Sequence, residues 1–352
     1  MSVPVPSWPS LLHTLLDGDD LDESVAAALM GRLMRGDAES SQVAALLVAL
    51  RAKGESPGEI AGFVTAMLEA AVPVAVPVDL APHLLDIVGT GGDGAGTFNI
   101  SSVAAVVIAA AGVPVAKHGN RAASSRCGSA DLLEAWGVDI ELPPDEVTRC
   151  LDELGIAFLY ARTFHPAMRH VAPVRLQLGI RTVFNVLGPL SNPAPVPYQA
   201  VGVADARLAP VMADALARLG RRHALVFRGE DGLDELTTTG PSQVWEVRDG
   251  QVSSWRFDPT ELGLARVTPS DLQGGDVGTN VAIADAVLAG APGPAADIVA
   301  LNAAAGLYAA DAVTDLAAGL ARAREVLTSG EAAALRDRWI AWGARRVVAR
   351  DA

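Results

Sequence analysis

Five glycines fall within the eight residues from Gly89 to Gly96, between two apolar runs of different character. The run before them, LLDIV, is short and apolar, as in a buried strand. The run after them, SSVAAVVIAAAG, opens with serines and closes with Gly112, as in a helix whose two ends are marked. A strand, a glycine loop and a helix N-terminus in this order predict an anion-binding site in an α/β fold, because glycine lets a ligand approach backbone N–H groups closely.

The alternation of short strands and helices continues through the rest of the chain. The strand-like runs are VPVA at 113–116, IAFLY at 156–160, QAVGV at 199–203 and HALVF at 223–227. Helical stretches separate them, and the tail from about residue 280 is rich in alanine and mostly helical. This pattern predicts an α/β domain with a central, mostly parallel sheet flanked by helices.

The amino-terminal part, residues 7–75, reads instead as helices only. Its last helix, SPGEIAGFVTAMLEAA, opens with a capping box of Ser56 and Glu59. Residues 166–190 also read as helical, interrupted by Pro173, and would complete this unit by packing against it. The predicted organisation is a small helical domain followed by a larger α/β domain. The first comprises residues 1–76 and about 166–190, and the second comprises residues 80–165 and 191–352.

Composition limits the classes of protein to which the chain can belong. The net charge is −14, whereas a non-specific nucleic-acid binder carries a basic face, so we expect no nucleic-acid partner. The amino terminus has no basic region before an apolar run, and no uncharged apolar run reaches roughly 18 residues, so we expect neither a signal peptide nor a membrane span. Two cysteines in 352 residues indicate a reducing compartment, and we expect a cytoplasmic protein.

The glycine loop does not meet the requirements of either of two common nucleotide-binding motifs. Its glycines match G-x-G-x-x-G, but the last of them, Gly94, lies too far before the predicted helix cap at Ser101 or Ser102. No acidic residue follows at the distance where a dinucleotide-binding fold places one. No lysine followed by serine or threonine closes the loop, so the P-loop interpretation fails as well.

A second polar loop follows the next predicted strand. The stretch KHGNRAASSRCGSAD, residues 117–131, crowds cationic and hydroxyl side chains together with almost nothing apolar between them. Lys117 supplies a point charge for phosphate. Two anion-binding loops after successive strands therefore predict a ligand with separate phosphate groups. His118, the one imidazole of this cluster, is interpreted as a positioning residue.

Three more charged residues complete the candidate site. Asp234 and Glu235 are adjacent carboxylates after the strand HALVF, and Mg²⁺ commonly joins one or two carboxylates to substrate phosphates. Arg175 lies in APVRLQLG, a helical stretch with little other charge. Taken alone, Arg175 reads as a surface residue, although a guanidinium can also hold a carboxylate through two hydrogen bonds.

Four long motifs together resemble the anthranilate phosphoribosyltransferase family. They are GTGGDGAGTFNIS, KHGNRAASSRCGSADLLEAWG, FHPAMRHVAPVRLQLGIRTVFNVLGPLSNP and GLDE, and the likeness extends from about residue 10 to residue 345. The resemblance implies Mg²⁺-dependent transfer of the phosphoribosyl group from phosphoribosyl pyrophosphate to anthranilate, the second step of tryptophan biosynthesis from chorismate. It also implies two metal ions per subunit and a homodimer formed through the helical domain.

The family's site residues carry over by position. The implied phosphoribosyl pyrophosphate contacts are Gly89, Gly92, Asp93, Thr97, Asn99, Ile100, Ser101, Ser102, Lys117, His118, Gly119, Asn120, Arg121, Ala122, Ala123, Ser124, Ser125 and Ser129. The implied metal contacts are Ser101, Asp234 and Glu235, and the implied anthranilate contacts are Gly89, Asn120 and Arg175. No catalytic base is assigned, and Lys117 and Arg175 would support the reaction through charge and orientation.

Two other functions remain open at this point. A pyrimidine nucleoside phosphorylase-like enzyme would use phosphate as its nucleophile and needs no GLDE acidic pair. A non-enzymatic nucleic-acid-binding relative of the fold should be basic and should lack that pair. The ordinary phosphoribosyltransferase fold ends a strand in two adjacent acids, which LLDIVGTGG lacks, so we expect the rarer architecture of a helical domain plus an α/β domain.

Overall fold

The computed structural model of the protein describes residues 6–122 and 126–350. Its amino-terminal part is helical, as predicted. The helices there are α1 (Trp8–Leu16), α2 (Glu23–Arg35), α3 (Ser40–Lys53) and α4 (Pro57–Glu69). The predicted capping box is present at the start of α4, where the Glu59 N–H donates to the Ser56 hydroxyl and the Ser56 N–H donates to the Glu59 carboxylate.

A seven-stranded sheet lies at the centre of the rest of the chain. Its strands are β1 (Leu85–Gly89), β2 (Val115–Gly119), β3 (Ile156–Tyr160), β4 (Tyr198–Gly202), β5 (His223–Gly229), β6 (Ser242–Arg248) and β7 (Gln251–Phe257). They follow the order β3-β2-β1-β4-β5-β6-β7, in which the first five are parallel and the last two are antiparallel. The mostly parallel sheet is therefore confirmed. Strand β2 extends past the predicted VPVA run, so Lys117 and His118 lie on the strand and not in the loop after it.

The hairpin of β6 and β7 was not predicted from the sequence. Its turn consists of Asp249 and Gly250, whose φ values are 48° and 79°. A two-residue type I′ turn requires positive φ at both central positions, and Asp-Gly satisfies this requirement well. The Asp-Gly pair between SQVWEVR and QVSSWRF was the available sequence signal for this hairpin.

Helices cover both faces of the sheet and divide the core into two parts. They are α5 (Ile100–Ala110), α6 (Ser129–Trp136), α7 (Pro144–Leu154), α8 (Ala161–Phe164), α9 (Ala172–Leu178), α10 (Phe184–Leu190), α11 (Leu208–Arg218), α12 (Val277–Leu288), α13 (Pro294–Ala309), α14 (Leu316–Ser329) and α15 (Glu331–Arg350). Ala200 and Leu225 pack on the face covered by α5 and α13. Their neighbours Val201 and Val226 pack on the face covered by α4 and α11, because successive side chains of a strand point to opposite faces. None of the described helices is both long and apolar enough to cross a membrane.

Residues 166–190 are largely helical, as predicted, but Pro173 does not interrupt a helix. Pro173 lies in the first turn of α9, where its missing N–H has no intrahelical partner to lose. Val174, Phe184 and Leu187 belong to the same apolar cluster as the buried residues of α2, α3 and α4. This packing supports a helical domain completed by residues 166–190, whose bounds stay a prediction.

The strand order locates the candidate site. The chain proceeds outward from β1 to β3 and then returns to place β4 on the other side of β1. Open α/β sheets bind ligands at the carboxyl ends of their strands, beside a reversal of this kind. The glycine loop leaves the end of β1 at this position.

Helices α2 and α4 come close together at Gly62. A Cβ atom there would lie 2.2 Å from the Glu23 carbonyl oxygen and 2.9 Å from the Ala27 nitrogen. A Cβ atom at Gly58, one turn earlier on α4, would meet nothing closer than 3.9 Å. The packing of α2 on α4 therefore requires glycine at position 62 but not at position 58.

We predict that Gly62→Ala lowers the free energy of unfolding by about 1–3 kcal/mol, because the two helices must move apart. Gly58→Ala is the matched control and should leave stability unchanged or raise it slightly, since alanine favours the helix. Urea unfolding followed by circular dichroism measures both variants. Equal effects of the two substitutions would contradict the close contact at Gly62.

Candidate active site

A cavity of about 310 Å³ lies at the carboxyl ends of β1 and β2. The implied phosphoribosyl pyrophosphate contacts that line it are Gly89, Gly92, Asp93, Thr97, Asn99, Ile100, Ser101, Ser102, Lys117, His118, Gly119, Asn120, Arg121, Ala122 and Ser129. The other three, Ala123, Ser124 and Ser125, lie outside the described residues. Asp234 and Glu235 line the same cavity, so the fold brings together three separate segments of the chain.

The acidic loop packs directly on the ends of two central strands. Asp234 accepts a hydrogen bond of 2.6 Å from the Gly91 N–H. A Cβ atom at Gly89 would lie 2.4 Å from the Asp234 carboxylate, and one at Gly202 would lie 1.7 Å from the Asp234 carbonyl oxygen. Glycine is therefore required at the ends of both β1 and β4 for this approach.

The glycine loop has a backbone conformation that only glycine adopts readily. Gly91, Gly92, Gly94 and Gly96 have φ values between 65° and 74°. The loop leads into α5, whose N-cap is Asn99 and not Ser101 or Ser102 as predicted. No side chain caps this helix end, because the Asn99 Oδ1 accepts a hydrogen bond from the Asn280 amide at 2.9 Å and not from the helix N–H groups. An uncapped helix N-terminus beside a glycine loop suits an anion.

Lys117 is a buried cation among these groups. Its ammonium donates to the Ile87 carbonyl oxygen at 2.7 Å and lies 3.5 Å from the Ser101 hydroxyl. Burial lowers the pKa of Lys117, and nearby carboxylates, including Glu235, oppose that effect. The cation and the acids therefore reduce each other's cost of burial.

Asp234 is half-buried and Glu235 is buried, so two neighbouring carboxyl groups lie largely away from solvent. Burial, and then the charge of Asp93, raises the pKa of Asp234 to about 7. Burial, and then the charge of Asp234, raises the pKa of Glu235 well above its ordinary value. A divalent cation would relieve both the cost of burial and the repulsion, so the pair fits the implied metal site.

The carboxylates of this chain would share such an ion with other oxygen ligands. Among the described residues, no group of three or more His, Cys, Asp and Glu side chains could hold a metal ion by itself. Mg²⁺ sites commonly consist of one or two carboxylates with water and substrate phosphates. Two carboxylates beside an anion-binding loop match that pattern, and the Ser101 hydroxyl lines the same cavity.

The Arg121 side chain is engaged with acids of the helix that follows its loop, α6. Its guanidinium donates to Glu134 at 2.7 and 2.9 Å and to Asp131 at 3.2 Å. Asp131 also accepts hydrogen bonds from the N–H groups of Ala122 and Gly128, at 3.0 and 2.8 Å. These contacts hold together the two ends of the loop after β2. The contact of Arg121 with phosphoribosyl pyrophosphate stays a prediction.

A second cavity, of about 620 Å³, shares His118 and Asn120 with the first. Arg175 lines it, with its guanidinium carbon 5.0 Å from the centre of the Phe184 ring. Arg175 is half-buried beside this cavity, and burial lowers its pKa, so it is not the fully exposed residue that its sequence alone suggests. Of the implied anthranilate contacts, Asn120 and Arg175 line this second cavity, whereas Gly89 lines the first.

His118 lies between the two cavities as a neutral imidazole. Burial, and then the charge of His165, lowers its pKa to about 3. Its Nδ1 lies 3.1 Å from the Gly188 carbonyl oxygen, which can only accept, so the proton is on Nδ1. Nε2 is then an acceptor, and it is buried without a hydrogen-bond partner among the described residues.

Arg181 and Asn185 also line the first cavity, and sequence reasoning missed both. The Arg181 guanidinium donates to the Gly91 carbonyl oxygen at 3.0 Å. A Cβ atom at Gly92 would lie 1.6 Å from a guanidinium nitrogen of Arg181, so glycine at 92 makes room for this arginine. The only signal was a lone arginine in the apolar run GIRTVFN, and the fold alone brings it to a loop 90 residues away.

Both parts of the chain match described protein families. Residues 81–333 match the glycosyl transferase family, a/b domain, and residues 9–71 match the glycosyl transferase family, helical bundle domain. An anthranilate phosphoribosyltransferase of Arthrobacter sp. is 53% identical over 341 residues, which are 95% of this chain and 96% of that relative.

Solved structures agree with this match. The structure of anthranilate phosphoribosyltransferase from Thermus thermophilus has a TM-score of 0.88 and 51% identity, covering 94% of this chain and 98% of that one. The Saccharomyces cerevisiae enzyme in complex with PRPP and Mg has a TM-score of 0.84 and 29% identity, covering 96% and 98%. The same yeast enzyme is also solved with 4-fluoroanthranilate, at a TM-score of 0.84 and 28% identity, covering 96% and 99%. The chain belongs to the anthranilate phosphoribosyltransferase family.

Proposed function

We propose that this chain transfers the 5-phosphoribosyl group from phosphoribosyl pyrophosphate to anthranilate, giving N-(5-phosphoribosyl)anthranilate and pyrophosphate. This is the second step of tryptophan biosynthesis from chorismate. The names of the relatives and the ligands of the yeast structures support it. The observation that carries the proposal is the pair of cavities that meet at His118 and Asn120, one beside an anion loop and an acidic pair, the other beside Arg175.

The first cavity suits the donor substrate, which carries a 5-phosphate and a pyrophosphate. The glycine loop and the start of α5 present backbone N–H groups, which bind phosphate oxygens without a full positive charge. Lys117 adds the buried cation, placed between the two loops by its hydrogen bond to Ile87. As the pyrophosphate leaves, negative charge grows on it, and fixed donors of this kind stabilise that charge.

We assign Ser101, Asp234 and Glu235 as the residues that hold Mg²⁺, with two ions per subunit. When bound, Mg²⁺ neutralises the charge of the departing pyrophosphate. The protein's part is to hold two carboxylates against the glycine loop, through the hydrogen bond from Gly91 to Asp234. This acidic pair favours the transferase over a pyrimidine nucleoside phosphorylase-like enzyme, which has no need of it.

The second cavity suits the acceptor substrate. The Arg175 guanidinium would bind the anthranilate carboxylate through two hydrogen bonds and so orient the ring. The amine would then point toward His118 and Asn120, where the cavities meet. His118 lies at this junction and packs beside both cavities as a positioning residue. With a pKa of about 3, His118 is too weak a base to take the proton outright, so catalysis is mainly orientation and electrostatics.

We also propose a homodimer formed through an apolar patch on the helical part of the chain. Leu16 on α1, Val48 on α3, and Leu176 with the nearby Ile180 are exposed to 71%, 45%, 85% and 52%. Helix α3 contacts both α1 and α9, so these side chains belong to neighbouring elements. Exposed apolar side chains on neighbouring elements are typical of a protein interface. On the two cysteines of the sequence, we place the enzyme in the cytoplasm.

The acidic pair gives the first prediction for this function. Asp234→Asn combined with Glu235→Gln should lower kcat/KM by about 100-fold or more, because charge stabilisation of the leaving group is lost. The residual activity should no longer respond to Mg²⁺ concentration. Glu230→Gln is the control, since this carboxylate lies four residues from Asp234 but pairs with Arg256 on the surface at 2.7 Å. Loss of anthranilate fluorescence at several Mg²⁺ concentrations measures all three proteins, and an unchanged Mg²⁺ response in the double variant would refute the metal assignment.

Arg175 gives a prediction about one substrate only. Arg175→Gln should raise the KM for anthranilate about tenfold or more, because a charge-assisted pair to the carboxylate is lost. The KM for phosphoribosyl pyrophosphate should stay within about twofold. Arg169→Gln, at an exposed position on the same cavity, is the control and should change neither constant much. Equal increases in both constants for Arg175→Gln would contradict its assignment to the acceptor.

The dimer proposal is tested by the mass of the protein in solution. Leu176→Asp should convert the dimer to a monomer in sedimentation velocity, because a buried unpaired charge is costly in an interface. Val78→Asp is the matched control, since Val78 is also 85% exposed but lies outside the patch. A wild-type protein that sediments as a monomer at micromolar concentration would contradict the dimer proposal.

A further inference from the structure

Residues 273–280, which precede and begin α12, hold the glycine loop in place through hydrogen bonds. The Gly274 N–H donates to the Gly96 carbonyl oxygen at 2.9 Å, and the Gln273 side chain donates to the same oxygen at 2.9 Å. A Cβ atom at Gly274 would lie 2.7 Å from the Phe98 nitrogen. The loop that carries Thr97 and Asn99 is thus held from outside the site.

The carboxamides of Asn280, which is buried, and Asn99, which is half-buried, continue this connection. Asn280, which is 2% exposed, accepts a hydrogen bond from the Gly275 N–H at 2.8 Å and donates to the Asn99 Oδ1 at 2.9 Å. Asn99 in turn donates to the Cys127 carbonyl oxygen at 3.1 Å. We call these four groups the amide relay, which runs from Gly275 through Asn280 and Asn99 to Cys127.

The amide relay has only one possible polarity. The Gly275 N–H at one end can only donate, and the Cys127 carbonyl at the other end can only accept. Asn280 must therefore present its oxygen to Gly275 and its NH₂ to Asn99. Asn99 must then present its oxygen to Asn280 and its NH₂ to Cys127. Each carboxamide is fixed by its neighbour, and neither can rotate by half a turn without placing like groups together.

We propose that Asn280 is a positioning residue for the phosphoribosyl pyrophosphate site, although it does not line the first cavity itself. It holds the Asn99 carboxamide so that an NH₂ group, and not a second oxygen, bridges to Cys127, and so joins the glycine loop to the loop after β2. Asn99 lines the first cavity, and its carboxamide also contacts the Cys127 thiol, so the relay fixes a side chain that an anionic ligand of this cavity would meet. The identity of that ligand rests on the proposed function.

Asn280→Asp tests the polarity with almost no change of shape. An ionised carboxylate at position 280 offers only acceptors, so Asn99 must turn its NH₂ toward that carboxylate and its oxygen toward the Cys127 carbonyl. The same carboxyl group, once protonated, can again donate to Asn99, so lowering the pH should restore the relay. Two groups near position 280 keep their charge in this interval, because burial raises the pKa of the Cys127 thiol and hydrogen bonds from Thr279 hold the pKa of Asp276 below its ordinary value. The guanidinium of Arg126 also faces Asp276 and lowers the pKa of that carboxyl group. Asp234, whose pKa burial raises to about 7, changes charge in every variant alike, so each variant is compared with the wild type at the same pH.

The measurement is the affinity for phosphoribosyl pyrophosphate with Mg²⁺, by titration calorimetry at pH 7.5 and pH 5.5. We expect Asn280→Asp to weaken binding about tenfold at pH 7.5, as for one lost hydrogen bond to a charged ligand, and to approach the wild-type value at pH 5.5. Asn280→Ala should weaken binding equally at both pH values. Ala282→Asp, which adds the same charge at an exposed position on α12, should bind as the wild type does.

Three results would overturn the relay as a positioning device. They are wild-type affinity in Asn280→Asp at pH 7.5, a penalty in that variant that pH does not change, and an equal penalty in Ala282→Asp. The KM for anthranilate should stay within about twofold in every variant, since the second cavity is untouched, and a larger rise would indicate general damage to the fold. Binding is measured directly, so the relay can be tested even if the proposed reaction is wrong. A wild type that binds phosphoribosyl pyrophosphate but consumes no anthranilate would refute the reaction, and the binding data would still test the role of Asn280.

Discussion

The site depends on one close approach, in which the loop carrying Asp234 rests against the ends of β1 and β4. Gly89 and Gly202 make this approach possible, because a side chain at either position would collide with Asp234. The consequence is electrostatic. The buried Glu235 and the half-buried Asp234 lie beside an anion-binding loop, where burial raises the pKa of both. Without a cation, two ionised carboxylates here would repel each other and lose hydration. The arrangement therefore suits a ligand that binds together with a divalent ion.

The carboxy-terminal helices support this approach from behind. Asn302 on α13 is fully buried, accepts a hydrogen bond from the Leu236 N–H and donates to the Leu236 carbonyl oxygen, both at 2.9 Å. It therefore fixes the backbone next to Glu235. Asn280 on α12 has the corresponding place beside the glycine loop. A buried carboxamide is stable only when its hydrogen-bond partners are in position. The two helices therefore hold the acidic loop and the glycine loop, which line the first cavity, in fixed positions.

The sequence predicted the features that depend on local patterns. The five parallel strands, the capping box at Ser56 and the glycine loop all follow from spacing and residue type over short stretches. The hairpin at Asp249 was missed although its turn signal was present. Arg181 and Asn280 could not be found in this way, because their roles exist only where distant segments meet. The surroundings of Arg175 could not be read from its local sequence either, since only the fold shows the cavity that it lines.

The most direct test of this account is the reaction of the wild-type protein itself. Anthranilate, phosphoribosyl pyrophosphate and Mg²⁺ are combined with the protein, and the loss of anthranilate fluorescence is followed together with the release of pyrophosphate. We expect the two to change in equal amounts, and both to stop when a chelator removes Mg²⁺. A folded protein that binds phosphoribosyl pyrophosphate but leaves anthranilate unchanged would contradict the assignment of the second cavity to this acceptor.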